Sequence, residues 1–256
     1  MPFVTAGGHR LEYERIPGKP AMPTLLLLHE GLGSVALWRD FPQKLAAETG
    51  APVVTYSRYG YGQSDSLAAP HGPRYMHDEA LASLPELRER LGLAGVILVG
   101  HSDGASIALI HAGSGRWPVR ALILEAPHVF VEEASLASIA AARTAYETGD
   151  LRQRLLRYHA DVDSAFRGWN DAWLNAAFRD WNIEEYLPGI TAPVLAIQGA
   201  EDEYGTPRQL EAIARGVKGP FTPLLLRHCK HSPHRDQERT ALEAMAEFVE
   251  RVSAAG

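Results

Sequence analysis

The sequence predicts an α/β fold: a mostly parallel central sheet flanked by helices, with a helical insertion after the sixth strand. Three observations carry this expectation. Short apolar runs recur along the chain, amphipathic stretches lie between them, and one long region, 129–188, has helical patterning without any such run.

The runs are Thr24 to Leu28, Pro52 to Tyr56, Val96 to Val99, Ala121 to Leu124, Pro193 to Ile197 and Leu224 to Leu226. Their hydrophobicity is continuous rather than alternating, which suits strands buried on both faces of a parallel sheet. Helical stretches are expected at Trp38 to Glu48, Tyr75 to Leu91, Ser102 to Ala112, Pro207 to Arg215 and Asp236 to Val252, joining the strands by right-handed crossovers. Arg10 to Ile16 alternates clearly and predicts an antiparallel edge strand. The expected domains are a core, 1–128 with 189–256, and an insertion, 129–188, that follows the strand ending near Glu125. Trp169, Trp173 and Trp181, three of the five tryptophans, fall in that insertion. It is expected to cover the carboxyl ends of the strands, where open α/β sheets bind ligands.

At 256 residues with 46% hydrophobic content, the chain can bury one substantial core, and no low-complexity linker divides it. A net charge of -6 with scattered Lys and Arg excludes a basic footprint, so nucleic acid is not an expected partner. The single cysteine, Cys229, cannot form an internal disulfide, which fits a reducing compartment; the cytoplasm is the expected location. Met1 to Thr5 lacks a basic segment leading into an apolar stretch, and Leu25 to Leu28 is too short to span a bilayer. No export signal or membrane partner is expected.

Chemistry concentrates at Gly100-His101-Ser102-Asp103-Gly104, a G-x-S-x-G element placed after the run Val96 to Val99 and before a helical stretch. Strand, tight turn and helix in that order lift a serine clear of the sheet, and the flanking glycines allow the close approach this needs. A serine is a weak nucleophile at neutral pH, so a histidine must take its proton and a carboxylate must hold the imidazole. The strand Val194 to Ile197 leads into Glu201-Asp202-Glu203, of which Asp202, in a G-x-x-D frame, is the expected acid; Glu201 and Glu203 are its competitors. The run Leu224 to Leu226 leads into His228, Cys229, His231 and His234, of which His231 is the expected base and His234 its competitor. These four residues do not have zinc-finger spacing, so no metal is expected. Gly60-Tyr61-Gly62 lacks the rest of a dinucleotide loop, so no nucleotide cofactor is expected.

With these motifs the chain resembles the α/β-hydrolase superfamily over nearly its whole length. His29-Glu30-Gly31-Leu32-Gly33-Ser34 is similar to its oxyanion loop, and Gly60-Tyr61-Gly62-Gln63-Ser64 to its G-x-G-x-S bend. The resemblance implies the α/β-hydrolase fold with a helical cap, and an oxyanion hole made by the backbone N–H groups of Gly31 and Asp103. Each such donor contributes roughly 3 kcal/mol to transition-state stabilisation. Glu30 stands where the family usually has glycine, Lys230 likewise, and Ser57 where aspartate is common. A carboxylate at Glu30 is expected to turn aside, pair with a donor or cation, and shape the acyl or alcohol pocket. Trp169 and Trp173, four residues apart on one helix face, either pack on the core or bind substrate.

Serine at the turn implies acyl transfer. The expected activity is hydrolysis of small or medium, partly apolar carboxylic esters through an acyl-enzyme. The alternatives are carbon-carbon hydrolysis of ring-cleavage diketones, thioester hydrolysis, perhydrolysis, and a non-catalytic receptor for a small ligand. Relatives that cleave diketones commonly carry tryptophan after the catalytic histidine, where this chain has Ser232.

Overall fold

A computed structural model describes residues 1–254. Eight strands form one sheet in the order β1-β2-β4-β3-β5-β6-β7-β8. They are β1 (Phe3–Ala6), β2 (His9–Ile16), β3 (Leu25–Leu28), β4 (Val53–Tyr56), β5 (Ile97–His101), β6 (Ala121–Glu125), β7 (Val194–Gly199) and β8 (Phe221–Leu226). The pairs β1/β2 and β2/β4 are antiparallel and every other pair is parallel.

The continuous apolar runs have the physical basis expected of them. Leu26, Leu28, Leu98, Leu122 and Leu124 enter a core on one face, while Leu25, Leu27, Ile97, Val99, Ile123 and Ile197 enter a second core on the other. Helices α1 (Phe41–Thr49) and α10 (Glu238–Ala254) cover the second face through Phe41, Leu45, Met245 and Phe248. Helix α4 (Asp103–Gly113) covers the first and is buried almost all round. Strand β8 departs from the pattern: it lies at the sheet edge, Thr222 and Pro223 are exposed, and Leu225 is 48% exposed.

Two further expectations need correction. Arg10 to Ile16 lies in an antiparallel strand, but β1 pairs outside β2 and forms the edge instead. The stretch Tyr75 to Leu91 is broken into α2 (Tyr75–Asp78), a π turn (Glu79–Ser83) and α3 (Leu84–Arg90). Pro85 in the first turn of α3 has no N–H to give to the preceding turn, which accounts for the widened backbone there.

Between β6 and β7 lie α5 (Glu133–Thr148), α6 (Leu151–Leu155), α7 (Val162–Trp173) and two short 3-10 turns, Ala176–Phe178 and Glu184–Gly189. Asp161 caps α7, its carboxylate accepting from the Ser164 N–H at 2.9 Å. The last turn packs on α4 and on α8 (Arg208–Gly216). Helix α9 (Pro233–Asp236) precedes α10. No helix among the described residues is long and apolar enough to cross a membrane.

Buried neutral histidines make the fold acid-labile. His29, His111 and His159 each accept a hydrogen bond through one ring nitrogen, from the Arg58 N–H, the Arg88 guanidinium and the Gly62 N–H respectively. Protonation breaks those bonds. Burial pushes His111 and His159 down to about 4 and His128 down to about 3. Because these folded values lie below the unfolded one, their stabilisation is complete above about pH 6.5 and is lost as pH falls through the folded values. The melting temperature is therefore expected to fall between pH 7 and pH 5, by the equivalent of about 1–2 kcal/mol per buried histidine. Thermal melts across that range check this; a flat profile contradicts it.

Candidate active site

Strand β3 pairs with both β4 and β5, so the chain leaves β3 toward one flank and returns on the other. Open α/β sheets bind ligands at such a switch point. The register Leu28↔Gly100 sets the loops after β3 and β5 side by side.

Ser102 lies between β5 and α4 with φ 53° and ψ -117°. A non-glycine residue there carries strain of about 1–3 kcal/mol, held by its surroundings. The Ser102 N–H donates to the Glu125 carbonyl at 2.9 Å, and its own carbonyl accepts from Ala105 and Ser106. Space is the reason for the flanking glycines. A Cβ on Gly104 would sit 2.0 Å from the Leu28 carbonyl oxygen, and one on Gly100 would sit 2.4 Å from the Gly104 oxygen.

The Ser102 hydroxyl lies 2.9 Å from His231 Nε2, and His231 Nδ1 lies 2.8 and 3.0 Å from the two Asp202 oxygens. A hydroxyl donating to Nε2 and an Nδ1–H donating to the carboxylate satisfy all three groups. The Asp202 carboxylate has no exposed surface and also accepts from the Tyr204 N–H at 2.8 Å and from the Gln198 amide. Burial raises its pKa, but the His231 hydrogen bond and charge, with the Tyr204 N–H, outweigh burial and hold the carboxyl below its usual range. Of the competing residues, Glu201 pairs with His228 at 3.0 Å, Glu203 lines the cavity, and His234 pairs with buried Glu125 at 2.7 Å. The histidines after β8 thus point to different partners. Among the described residues no group of three or more His, Cys, Asp or Glu is arranged to hold a metal ion.

The loop after β3 carries Gly31. Its N–H shares a peptide unit with the Glu30 carbonyl, and in a trans peptide the two point in opposite directions. That carbonyl accepts from His29 Nδ1 at 2.7 Å, Arg58 Nη2 at 3.1 Å and the Gly33 N–H at 3.0 Å. These donors turn the Gly31 N–H to the other side. Because the Arg58 N–H donates to His29 Nε2 at 3.0 Å, the His29 proton is assigned to Nδ1. The Arg58 guanidinium also donates to the His29 carbonyl and lies 3.9 Å from the Asp103 carboxylate. Asp103 is the first residue of α4, where a helix leaves its N–H without an internal partner. Gly31, Ser102 and Asp103 all line one cavity of about 200 Å³.

Glu30 lines the same cavity with its side chain 16% exposed, and its oxygens lie 3.5 Å from Arg235 and 3.6 Å from His101. Burial alone would raise its pKa; His101 and the Arg235 charge reverse this and hold Glu30 well below the usual carboxylate range. Trp169 and Trp173 also line the cavity. Trp169 packs so closely on the loop that a Cβ on Gly31 would meet its Nε1 at 2.1 Å. The Trp173 indole instead reaches Tyr75 Oη at 3.0 Å and Asp103 Oδ1 at 3.2 Å.

The sequence gives no direct sign of the roles of Arg58 and Glu12. Glu12, on β2, accepts from the Ser57 hydroxyl at 2.7 Å, and so supplies a carboxylate at the position where the family commonly carries aspartate. Only the departure at Ser57 signalled that an acid had to come from elsewhere.

A strained serine between strand and helix, backed by a histidine and a carboxylate from the ends of later strands, is the layout of an α/β hydrolase. A family profile described as alpha/beta hydrolase fold matches residues 23–167. Over 111 residues, 43% of the chain, the sequence is 32% identical to a proline iminopeptidase of Lactobacillus helveticus, but the match spans only 36% of that protein. A proline iminopeptidase of Saccharolobus solfataricus is 25% identical along 98% of the chain and 96% of its own length. The solved esterase from Exiguobacterium antarcticum superposes with a TM-score of 0.78 at 21% identity, covering 97% of this chain and 98% of that one. The chain belongs to the alpha/beta hydrolase fold family.

Proposed function

We propose that the protein is a serine hydrolase that cleaves carboxylic esters of small, partly apolar substrates through an acyl-enzyme. The observation that carries this reading is the continuous hydrogen-bonded line from Ser102 through His231 to Asp202, opening onto a cavity. His231 takes the Ser102 proton as the hydroxyl oxygen attacks the ester carbonyl, and Asp202 stabilises the resulting imidazolium. The N–H groups of Gly31 and Asp103 receive the developing oxyanion. His231 then protonates the departing alcohol, and a second cycle with water releases the acid.

The cavity supports the substrate class. Its volume of about 200 Å³ falls below the ordinary range for drug-sized ligands, roughly 300–1,000 Å³. Leu32, Ile139, Trp169 and Trp173 supply apolar wall, and no Lys or Arg is among its lining residues, whereas Glu30 and Glu203 are. A short, uncharged acyl group fits these walls better than a long or anionic one. Residues 129–188 then act as the cap, with Trp169 and Trp173 contacting substrate and Glu30 shaping the pocket beside the oxyanion loop. The partner on this reading is a small-molecule ester.

The proline iminopeptidase matches favour a second reading, amide cleavage, by the same machinery. A panel of p-nitrophenyl esters of increasing chain length, run beside proline p-nitroanilide, an acyl thioester and a ring-cleavage diketone, separates the readings. The acetate and butyrate esters are expected to exceed the decanoate by about tenfold or more in kcat/KM, because added methylenes find no space. Faster turnover of the anilide, thioester or diketone would move the assignment to that class. Ligand binding without turnover of anything would make the protein a receptor.

A further inference from the structure

The Asp103 side chain poses a problem that the proposed chemistry does not by itself answer. It belongs to the residue whose N–H faces the developing oxyanion, and it is a carboxylate with no exposed surface. A negative charge so close to a forming oxyanion opposes it. Three groups compensate the charge. Tyr75 Oη donates to Asp103 Oδ2 at 2.5 Å, the Trp173 indole N–H reaches both Tyr75 Oη and Asp103 Oδ1, and Arg58 lies 3.9 Å away.

These groups come from separate parts of the chain. Tyr75 opens α2, Arg58 follows β4, and Trp173 ends α7 in the insertion. Trp173 is 2% exposed, and its ring packs against Phe178 at 4.8 Å and His128 at 5.4 Å, so its indole is held in one orientation. Tyr75 and Trp173 donate to the carboxylate and Arg58 faces it as a nearby charge, and of these three residues Trp173 also forms wall of the cavity at Ser102.

We propose that Trp173 and Tyr75 are positioning residues that make the oxyanion hole competent by neutralising and pinning the Asp103 carboxylate, so that placement of α7 over the cavity is a condition of catalysis. The proposal rests on the serine-hydrolase reading and deepens it. Trp173 is then more than apolar wall: its N–H ties the insertion to the turn that carries the nucleophile. Burial pushes the Asp103 carboxyl above its usual range, and Arg58, Tyr75 and Trp173 offset this only in part, each acting in the direction that favours the ionised form. Loss of one donor leaves the charge less compensated and freer to face the reacting carbonyl.

The test is a double-mutant cycle in p-nitrophenyl butyrate hydrolysis with Trp173→Phe, Tyr75→Phe and Asp103→Asn. Phenylalanine keeps a ring while removing the donor. Each single Phe variant is expected to lower kcat by about tenfold, the scale of one charge-assisted hydrogen bond, with KM changed by less than about twofold. Adding Trp173→Phe to Asp103→Asn should then cost less than about twofold, because the charge to be neutralised is gone. A merely structural tryptophan predicts the full loss in both backgrounds, or a change in KM with kcat unaffected, and either result overturns the proposal. Should Asp103→Asn melt early, the Tyr75→Phe/Trp173→Phe pair gives the same decision, since residues acting through one carboxylate are non-additive. Labelling of the unaltered protein with a fluorophosphonate separates the two readings. No labelling and no turnover would remove the serine-hydrolase reading and this proposal with it, whereas labelling with additive losses would remove this proposal alone.

Discussion

Ser102→Ala is expected to lower kcat toward every accepted ester by about a millionfold, the scale found when the nucleophile of a serine protease is removed. The reason lies in how much of the site exists only for that oxygen. The backbone at Ser102 is strained, and the residue exposes little beyond what faces the cavity; it is 7% exposed. Alanine keeps the turn and the cavity while leaving His231 Nε2 without its 2.9 Å partner. Folding should survive, since one part-buried hydrogen bond is lost at the cavity and none is lost in the core. Initial-rate measurements beside a thermal melt check both halves. A variant that melts normally and retains even about a hundredth of the activity would mean that another group attacks the ester.

Asp202→Asn is expected to cost about ten thousandfold in kcat with little loss of fold, as a similar exchange does in serine proteases. Here the donor count makes the argument specific. Three donors meet this carboxylate: His231 Nδ1–H, the Tyr204 N–H and the Gln198 amide. An asparagine offers one acceptor oxygen and one NH₂, so at least one of those donors meets another donor. The imidazole can relieve that conflict by moving its proton to Nε2, where it can no longer take the Ser102 proton. Activity close to that of the unaltered protein would transfer the acid role to Glu201 or Glu203, although neither is hydrogen-bonded to His231 in the structure.

The parts of the fold legible in the sequence were those with one-dimensional signatures. Strands buried on both faces read as unbroken apolar runs, and the turn at Ser102 reads as glycine spacing. The edge was misplaced because the alternation in Arg10 to Ile16 reports a strand with unlike faces; it does not report how many neighbours the strand has. The widened turn before Leu84 hid because Pro85 is compatible with the first turn of a helix, so the sequence looks like one helix throughout. Asp202 and His231 were found by their places after strands, whereas Arg58 has no such mark. Its importance comes from bending back under His29 and Glu30, a contact between β3 and β4 loops that no periodicity encodes. Trp173 carried an ambiguity that was real, since it is both cavity wall and hydrogen-bond donor.

The neighbouring placement of β3 and β5 has a consequence for how the molecule comes into being. Gly31 and Asp103 lie on opposite sides of the β4 segment in the chain, and Arg58, which steadies both loops, lies between them. The proposed oxyanion hole therefore has no local precursor. No hairpin or helix pair formed early could carry it, and its two donors meet only after the slowest class of contact, parallel pairing across a long loop, has closed. On the serine-hydrolase reading proposed above, catalytic competence is a late event of maturation, and a nascent or partly unfolded molecule has its serine without the means to use it.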